Sequence, residues 1–401
     1  MPSTILQLAR IPARTFFVHL SGIVYVLICL ALSGLAVRYF HVKLAKLSTA
    51  LQLIGLLAGY LVVMAALDSL LAFLFASVCH GRLFGVVRFV TAGLFFVLPA
   101  TLLIFLVAVW LSRPPALSPI AVHGLCSGLL IVAALLIGTY LYARFVEPYR
   151  LQTTFHHIRS PKLAGLDKPL RIVLLADIQT DRITAYEKQV FEKTLELKPD
   201  LILLAGDYLQ CSSRQSYRRQ AGLLQQMLND LNFTAPLGIF AVPGNAESSN
   251  GRDCFDGTKV QWLIDQSTTI DHGTLSICLT GLSLKTGATS DKMAPNLLAG
   301  MNEAHFNIVL SHQPDFVLDL PSGHAIDLCL AGHTHGGQIC LPFAGAVTTA
   351  SRIPRSQASG LHRINGTTAC ISRGIGMERG WAPRLRFFCP PEIVILDLLV
   401  P

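Results

Sequence analysis

Four apolar runs crowd into the first 143 residues of this 401-residue chain, and no comparable run follows them. They cover residues 16–37, 51–78, 89–111 and 120–143. Each reaches the roughly 20 residues that a helix needs to cross about 30 Å of hydrocarbon. The chain is 14% charged, well below the roughly 25% of soluble domains, so an ordinary soluble enzyme is excluded for the chain as a whole. Tyr39, Trp110, Tyr140 and Tyr142 fall near the expected interfaces, where amphipathic rings settle. The first run is longer than a signal-peptide core and lacks a small-residue cleavage site, so it reads as a retained span. Residues 1–146 are therefore expected to form a four-span transmembrane anchor.

The excess charge lies in the same region. Residues 1–150 carry ten Lys and Arg against two acids, Asp68 and Glu147, and so hold the whole net charge of +8. Residues 151–401 carry 22 basic and 22 acidic residues. A nucleic-acid partner has no basic surface to dock on, and none is expected. Four spans place both ends of the anchor on one side, with Arg10, Arg14, Arg82, Arg88, Arg144 and Arg150. Arg38, Lys43, Lys46 and Arg113 fall on the other side. The positive-inside rule then gives a multi-pass integral protein of the inner (cytoplasmic) membrane, with its C-terminal half in the cytoplasm. Asp68 lies within the second run, and an intramembrane carboxylate keeps a function in the spans open. No paired Gly/Pro-broken segments or inverted repeat of the transporter type accompany it, which favours anchoring.

Residues 147–169 form a polar, Pro-containing connector, and strand and helix patterns then alternate. Continuous apolar runs at 171–176, 201–205 and 238–242 suit strands buried on both faces. Further strands are expected at 276–284, 306–310, 326–331 and 393–398. A helix is expected over 186–198, stopped by Pro199, and another carries Leu224, Met227, Leu228 and Leu231 at helical spacing. This order argues for an α/β layered domain over 170–401. None of the ten cysteines forms a CxxC pair. They read as small buried apolar residues, consistent with a reducing compartment.

Polar residues of ligand type follow these strands one after another. Asp177 and Gln179 follow the first, and Gly206-Asp207 the second. Gly244-Asn245-Ala246-Glu247 follows the third. His312 ends a fourth, and Gly332-His333-Thr334-His335-Gly336-Gly337 a fifth. Ligands bind at the carboxyl ends of strands in open α/β sheets. A lone Asp there is often a helix N-cap, and a lone core His is often merely hydrogen-bonded. The whole set, with two carboxylates, three imidazoles and two amides, instead suits mixed N/O ligation of a pair of divalent ions. A structural zinc would need four closely spaced Cys/His ligands, which are missing from the sequence.

The motif order resembles that of the calcineurin-like metallophosphoesterase superfamily, DxH, GD, GNH[D/E], a lone H and GHxH, over about residues 170–400. The tail, Ser372-Arg-Gly-Ile-Gly376 to Pro390-Pro-Glu-Ile393, is similar to that of a membrane-anchored bacterial branch. That branch includes enzymes of the UDP-diacylglucosamine pyrophosphatase type, which act on lipid-linked substrates. The resemblance implies a four-layer α/β/β/α sandwich. It assigns one ion to Asp177, Gln179, Asp207 and His335, and the other to Asp207, Asn245, His312 and His333, with Asp207 bridging. Two positions depart from the pattern. Gln179 replaces the His of DxH, which shifts the expected metal toward manganese. Ala246 replaces the His of GNH, which removes a proton donor for the leaving group. Glu247 is the candidate substitute, catalytic together with Asp207. Arg182 and Arg373 are candidate substrate-binding residues.

The expected function is a membrane-anchored two-metal phosphohydrolase, with two divalent ions, Mn²⁺ foremost. It would cleave a phosphoester or pyrophosphate bond in a phosphorylated or pyrophosphate substrate, lipid-linked substrates being one class open to it. Residues 376–388 mix Arg with aromatics and suit either membrane lipid headgroups or a packed loop. The alternative reading, prompted by Gln179 and Ala246, is a metal-binding or catalytically weakened scaffold or sensor.

Overall fold

In a computed structural model, residues 83–112, 118–247, 252–288, 297, 301–379 and 382–400 are described. The first two apolar runs and Asp68 lie outside the described residues. The third run forms two helices, α1 (Leu83–Ala92) and α2 (Leu98–Ser112), joined by a π-helical segment over Gly93–Val97. The fourth forms α3 (Pro119–Leu141). The rings of Phe95 and Phe96 lie 5.7 and 4.7 Å from that of Tyr140. Among the described residues, one helical stretch, Val122–Tyr149, is long and apolar enough to cross a membrane, and Val87–Leu103 is a shorter apolar helix. The expectation of a four-helix unit therefore reduces here to a single membrane-length helix.

From Phe145 onward the chain builds a second compact unit. Within the connector expected over 147–169, Gln152–Arg159 forms strand β1 in parallel with β14 (Glu392–Leu399). A sequence of Thr and His with few aliphatics gave little strand signal, but an edge strand needs only one covered face. The first sheet runs β1-β14-β2-β3-β4-β5, with β2 at Leu170–Leu175, β3 at Leu201–Leu204, β4 at Ile239–Ala241 and β5 at Val260–Trp262. The strands from β2 to β5 are mutually parallel. The second sheet runs β12-β13-β9-β8-β7-β6. Its inner members, β7 (Leu275–Gly281), β8 (Phe306–Leu310), β9 (Leu328–Ala331) and β13 (Thr367–Ile371), are parallel. Antiparallel β6 (Gln266–His272) and β12 (Gly360–Ile364) close its edges.

Strand periodicity explains the layers. Ile172, Leu174, Leu201 and Leu203 face the second sheet and meet Ile308, Leu310, Leu328 and Leu330 in the central core. Their neighbours Val173, Leu175, Ile202 and Leu204 face outward against Val190 and Phe191 of α4 (Ala185–Glu196) and Leu224 and Leu228 of α5 (Arg214–Asp230). Successive strand residues point to opposite faces, so a strand apolar at every position serves two cores. Helix α4 begins in a capping box, with Thr184 at the N-cap and the Glu187 carboxylate accepting the Thr184 N–H. On the far side of the second sheet, Val309, Cys329 and Ala369 pack against Phe316 and Val317 of a 3₁₀ turn and against Ile353. The outer layer there consists, among the described residues, of short turns and a five-residue helix, Leu284–Ala288. The expected four layers thus appear as helix, sheet, sheet and a thin irregular cover.

Candidate metal centre

Every parallel strand that feeds the site stops just before a ligand-type residue, and the backbone there turns sharply. Asp177, Gln179, Asp207, His333 and His335 all adopt positive φ, between 35° and 71°. Non-glycine residues rarely do so, and such strain concentrates at functional sites. Two glycines let the loops meet. A Cβ on Gly244 would stand 2.1 Å from Asp207 Oδ1, and one on Gly332 would stand 2.5 Å from Asp177 Oδ2. Any side chain at either position would push a loop away from the carboxylates.

The two carboxylates and three imidazoles converge. Asp177 and Asp207 are almost fully buried, and one atom each from Asp177, Asp207 and His312 lie within 4.8 Å of one another. His312 Nε2 lies 3.5 Å from Asp207 Oδ1, and His335 Nε2 lies 3.8 Å from Asp177 Oδ1. The His333 N–H donates to both Asp177 oxygens at 3.0 Å. The Ala246 N–H donates to Asp207 Oδ1 at 2.7 Å. Burial, with Asp207 nearby, pushes Asp177 well above the usual carboxylate range, and burial raises Asp207 to about 7. A nearby cation would offset that penalty.

The tautomer of His312 is set by its outer hydrogen bond. Burial pushes the imidazoles of His312 and His333 down to about 4, so each is neutral at pH 7 and carries one proton. His312 Nδ1 donates to the Ala205 carbonyl at 2.8 Å, which leaves Nε2 a lone pair. His333 Nε2 lies between the Ala350 carbonyl at 3.3 Å and the Gln313 amide nitrogen at 3.4 Å. Asn245 Oδ1 lies 2.8 Å from His312 Nε2 and 3.1 Å from His333 Nδ1, and the two ring nitrogens lie 3.2 Å apart. The His312 Nε2 lone pair and the Asn245 oxygen thus face each other, with His333 Nδ1 beside both. That arrangement is repulsive alone and fits an N/O-ligated divalent cation. On the other side, Gln179 Oε1 and His335 Nδ1 are buried without a hydrogen-bond partner. All seven residues expected as ligands are brought to this end of the sandwich.

The other expected residues fall elsewhere. Glu247 is not placed as a proton donor. Its Oε2 accepts the backbone N–H groups of Asp207 and Gly244 at 2.9 Å each, and its Oε1 accepts those of Tyr208 and Leu209 at 2.5 and 3.3 Å. Those four bonds hold the Asp207 turn from behind. Arg373 donates to Glu392 Oε2 at 2.8 Å, with Gln152 and Thr154 of β1 at 3.2 and 3.4 Å. That ion pair ties the tail to the sheet edge. Arg182 is exposed, in the loop after β2.

Several residues had no motif to announce them. The Tyr208 hydroxyl accepts the Gly206 N–H at 3.0 Å and reaches the Leu204 and Val242 carbonyls. Arg386 is wholly buried and donates to the carbonyls of Arg373, Gly376 and Cys389 at 2.6–3.0 Å. It lies in the segment 376–388, which is a packed loop at this position. Glu378 accepts from Gln179 Nε2 at 2.9 Å.

Residues 170–337 match the family model described as calcineurin-like phosphoesterase. The chain is 31% identical over 272 residues, 65% of its length and 90% of the relative's, to the uncharacterized metallophosphoesterase YkuE of Bacillus subtilis. It is 27% identical over 330 residues to the UDP-2,3-diacylglucosamine pyrophosphatase LpxG of Chlamydia muridarum, covering 67% of this chain and 95% of that one. It is 28% identical over 267 residues to the phosphodiesterase YaeI of Escherichia coli, covering 64% and 92%. The chain belongs to the calcineurin-like metallophosphoesterase family and is a hydrolase.

Proposed function

We propose that this protein hydrolyses a pyrophosphate or activated phosphoester bond in a lipid-linked substrate, at a centre holding two divalent cations. The observation that carries this reading is the meeting of Asn245 Oδ1, His312 Nε2 and His333 Nδ1 beside the Asp177–Asp207 pair. Asp207, Asn245, His312 and His333 would hold one cation, and Asp177, Gln179, Asp207 and His335 the other. Cations bound there supply Lewis acidity toward phosphoryl oxygens and lower the pKa of water. The oxygen donors Gln179 and Asn245 favour a hard ion such as Mn²⁺. The chain's own part is to orient these donors and to keep the imidazoles neutral by burial.

Ala246 narrows the substrate. A methyl group cannot protonate a leaving oxygen, and Glu247 is occupied by four backbone N–H groups. Leaving groups that depart as stable anions, such as a nucleoside or lipid phosphate, need that proton least. The relatives named LpxG act on such a bond, by their name. Lipid access is supported by a short hairpin after the His333–His335 loop, formed by β10 (Cys340–Leu341) and β11 (Gly345–Ala346). It exposes Leu341 and Phe343, and Ile339 at its base pairs with Phe387 beside exposed Phe388. Exposed apolar groups of this kind mark interaction surfaces. The membrane-length helix Val122–Tyr149 supports anchoring, and the charge bias favours the cytoplasmic side.

The test compares a diacylated nucleoside-diphosphate sugar with an unactivated alkyl phosphomonoester, using the detergent-solubilised full chain with Mn²⁺. Hydrolysis of the first, abolished by EDTA and exceeding that of the second by about 10²-fold or more, is the expected result. Mn²⁺ bound without turnover of either would establish the scaffold or sensor reading instead.

A further inference from the structure

The replacement of a family imidazole by Gln179 raises the question of what aims the amide. An amide presents two different faces, an oxygen lone pair and an NH₂ group, and only the first can bind a cation. The surroundings of Gln179 resolve that choice through a chain of hydrogen bonds. The Arg379 N–H donates to Gln210 Oε1 at 3.0 Å, which fixes that atom as an acceptor. Gln210 Nε2 donates to Glu378 Oε1 at 3.4 Å. Gln179 Nε2 then meets two acceptors, Glu378 Oε2 at 2.9 Å and Gln210 Oε1 at 3.3 Å. With the nitrogen pinned on that side, Oε1 takes the opposite side of the amide. It is buried and receives no hydrogen bond. Gln179 is itself 0% exposed, so no solvent satisfies that oxygen. The Gln179 backbone is fixed as well: its N–H donates to the Asp207 carbonyl at 2.8 Å, and its carbonyl accepts from Arg379 Nε at 2.7 Å.

We propose that Glu378 and Gln210 are positioning residues that lock the Gln179 amide with its carbonyl oxygen free for a cation. This rests on the two-cation reading above. An imidazole at position 179 would present a nitrogen and suit zinc as readily as manganese, whereas a locked amide presents oxygen alone. The acceptor pair behind Gln179 therefore sets the metal preference of this half of the centre. Glu378 acts only through Gln179.

The test is a double-mutant cycle on metal binding, read by calorimetric titration of the full chain in detergent with Mn²⁺ and, separately, Zn²⁺. Glu378→Ala is expected to weaken Mn²⁺ binding up to about tenfold, the lower end of the usual cost of losing a group that orients a ligand. In a Gln179→Ala background the same substitution should change Mn²⁺ affinity by less than about twofold, because nothing remains to be oriented. Gln179→His should bind Zn²⁺ more tightly relative to Mn²⁺ and should lose its dependence on Glu378. Thermal melting of each variant identifies any that unfold, and Glu378→Gln, which keeps the volume and one acceptor oxygen, serves if the alanine does. An equal loss in both backgrounds, or no loss in the wild-type background, overturns the proposal while leaving the two-cation reading intact. Failure of the wild-type chain to bind Mn²⁺ overturns that reading itself.

Discussion

The two halves of the proposed metal centre are built differently. Around Asn245, His312 and His333 the outer contacts include main-chain carbonyls, Ala205 just past β3 at 2.8 Å from His312 and Ala350 at 3.3 Å from His333. The His312 Nε2 lone pair and the Asn245 oxygen stand 2.8 Å apart there before any ion arrives. Around Gln179 and His335 two buried polar atoms have no protein partner, and the orienting groups are side chains from Gln210 and Glu378. Backbone carbonyls at strand ends are fixed by the fold, while side-chain amides are ordered at an entropy cost. The first half is therefore preorganised by main chain, and the second, held by side chains, is the more adaptable of the two.

Asp207 belongs to both halves, so its removal separates nothing and costs most. Asp207→Ala is expected to lower kcat by at least about 10²–10³-fold and to abolish binding of both ions, read by steady-state hydrolysis and by metal analysis. Retention of one bound ion would show that the halves are independent. Removing one donor from each half should then rank them. His312→Ala should weaken Mn²⁺ binding about 100-fold, and Gln179→Ala about tenfold, both by calorimetric titration. The reverse ranking would break the distinction between a preorganised and an adaptable half.

The framework behind the first half is tested by stability. Glu247→Ala strips an acceptor from four main-chain N–H groups around the Asp207 turn, all buried. One unpaired buried donor costs about 1–3 kcal/mol, and partial relaxation reduces the sum, so a loss of about 3 kcal/mol in chemical unfolding is expected. Part of this is recovered by release of the carboxylate itself, which burial and Asp207 raise to about 8. If Glu247 instead donated a proton in catalysis, the variant would keep its stability and lose turnover.

Much of this was legible in the sequence, for a physical reason. Strands β2, β3, β8 and β9 are buried on both faces, so their apolar runs are continuous, and the change to a polar ligand residue at each strand end stands out. Those strands were read at or near their observed places. Strand β1 and the antiparallel edges β6 and β12 were not, because half-exposed edge strands carry polar residues that resemble loops. The roles of Glu247, Arg373 and Arg386 were illegible for a different reason. A charged side chain near a motif looks the same in sequence whether it meets substrate or is consumed by backbone, and only distance distinguishes them. Arg386 has no carboxylate within ion-pairing distance among the described residues and is satisfied by carbonyls alone. No spacing rule announces that.

The smallest expected effect concerns Arg182, which separates the centre from its surroundings. Its side chain is exposed, beyond a turn in which the Thr180 hydroxyl donates to the Arg182 carbonyl at 2.8 Å. A cation there is solvated and screened over about 8–10 Å at physiological salt. Arg182→Ala should therefore leave stability within about 0.5 kcal/mol and Mn²⁺ affinity unchanged, measured beside Gln179→Ala in one titration series. A rise in KM of about tenfold for a pyrophosphate substrate, with kcat held, would instead place the guanidinium on a non-reacting phosphate. The substrate would then extend past the Gln179 side of the centre, and the adaptable half would be the one that reads it.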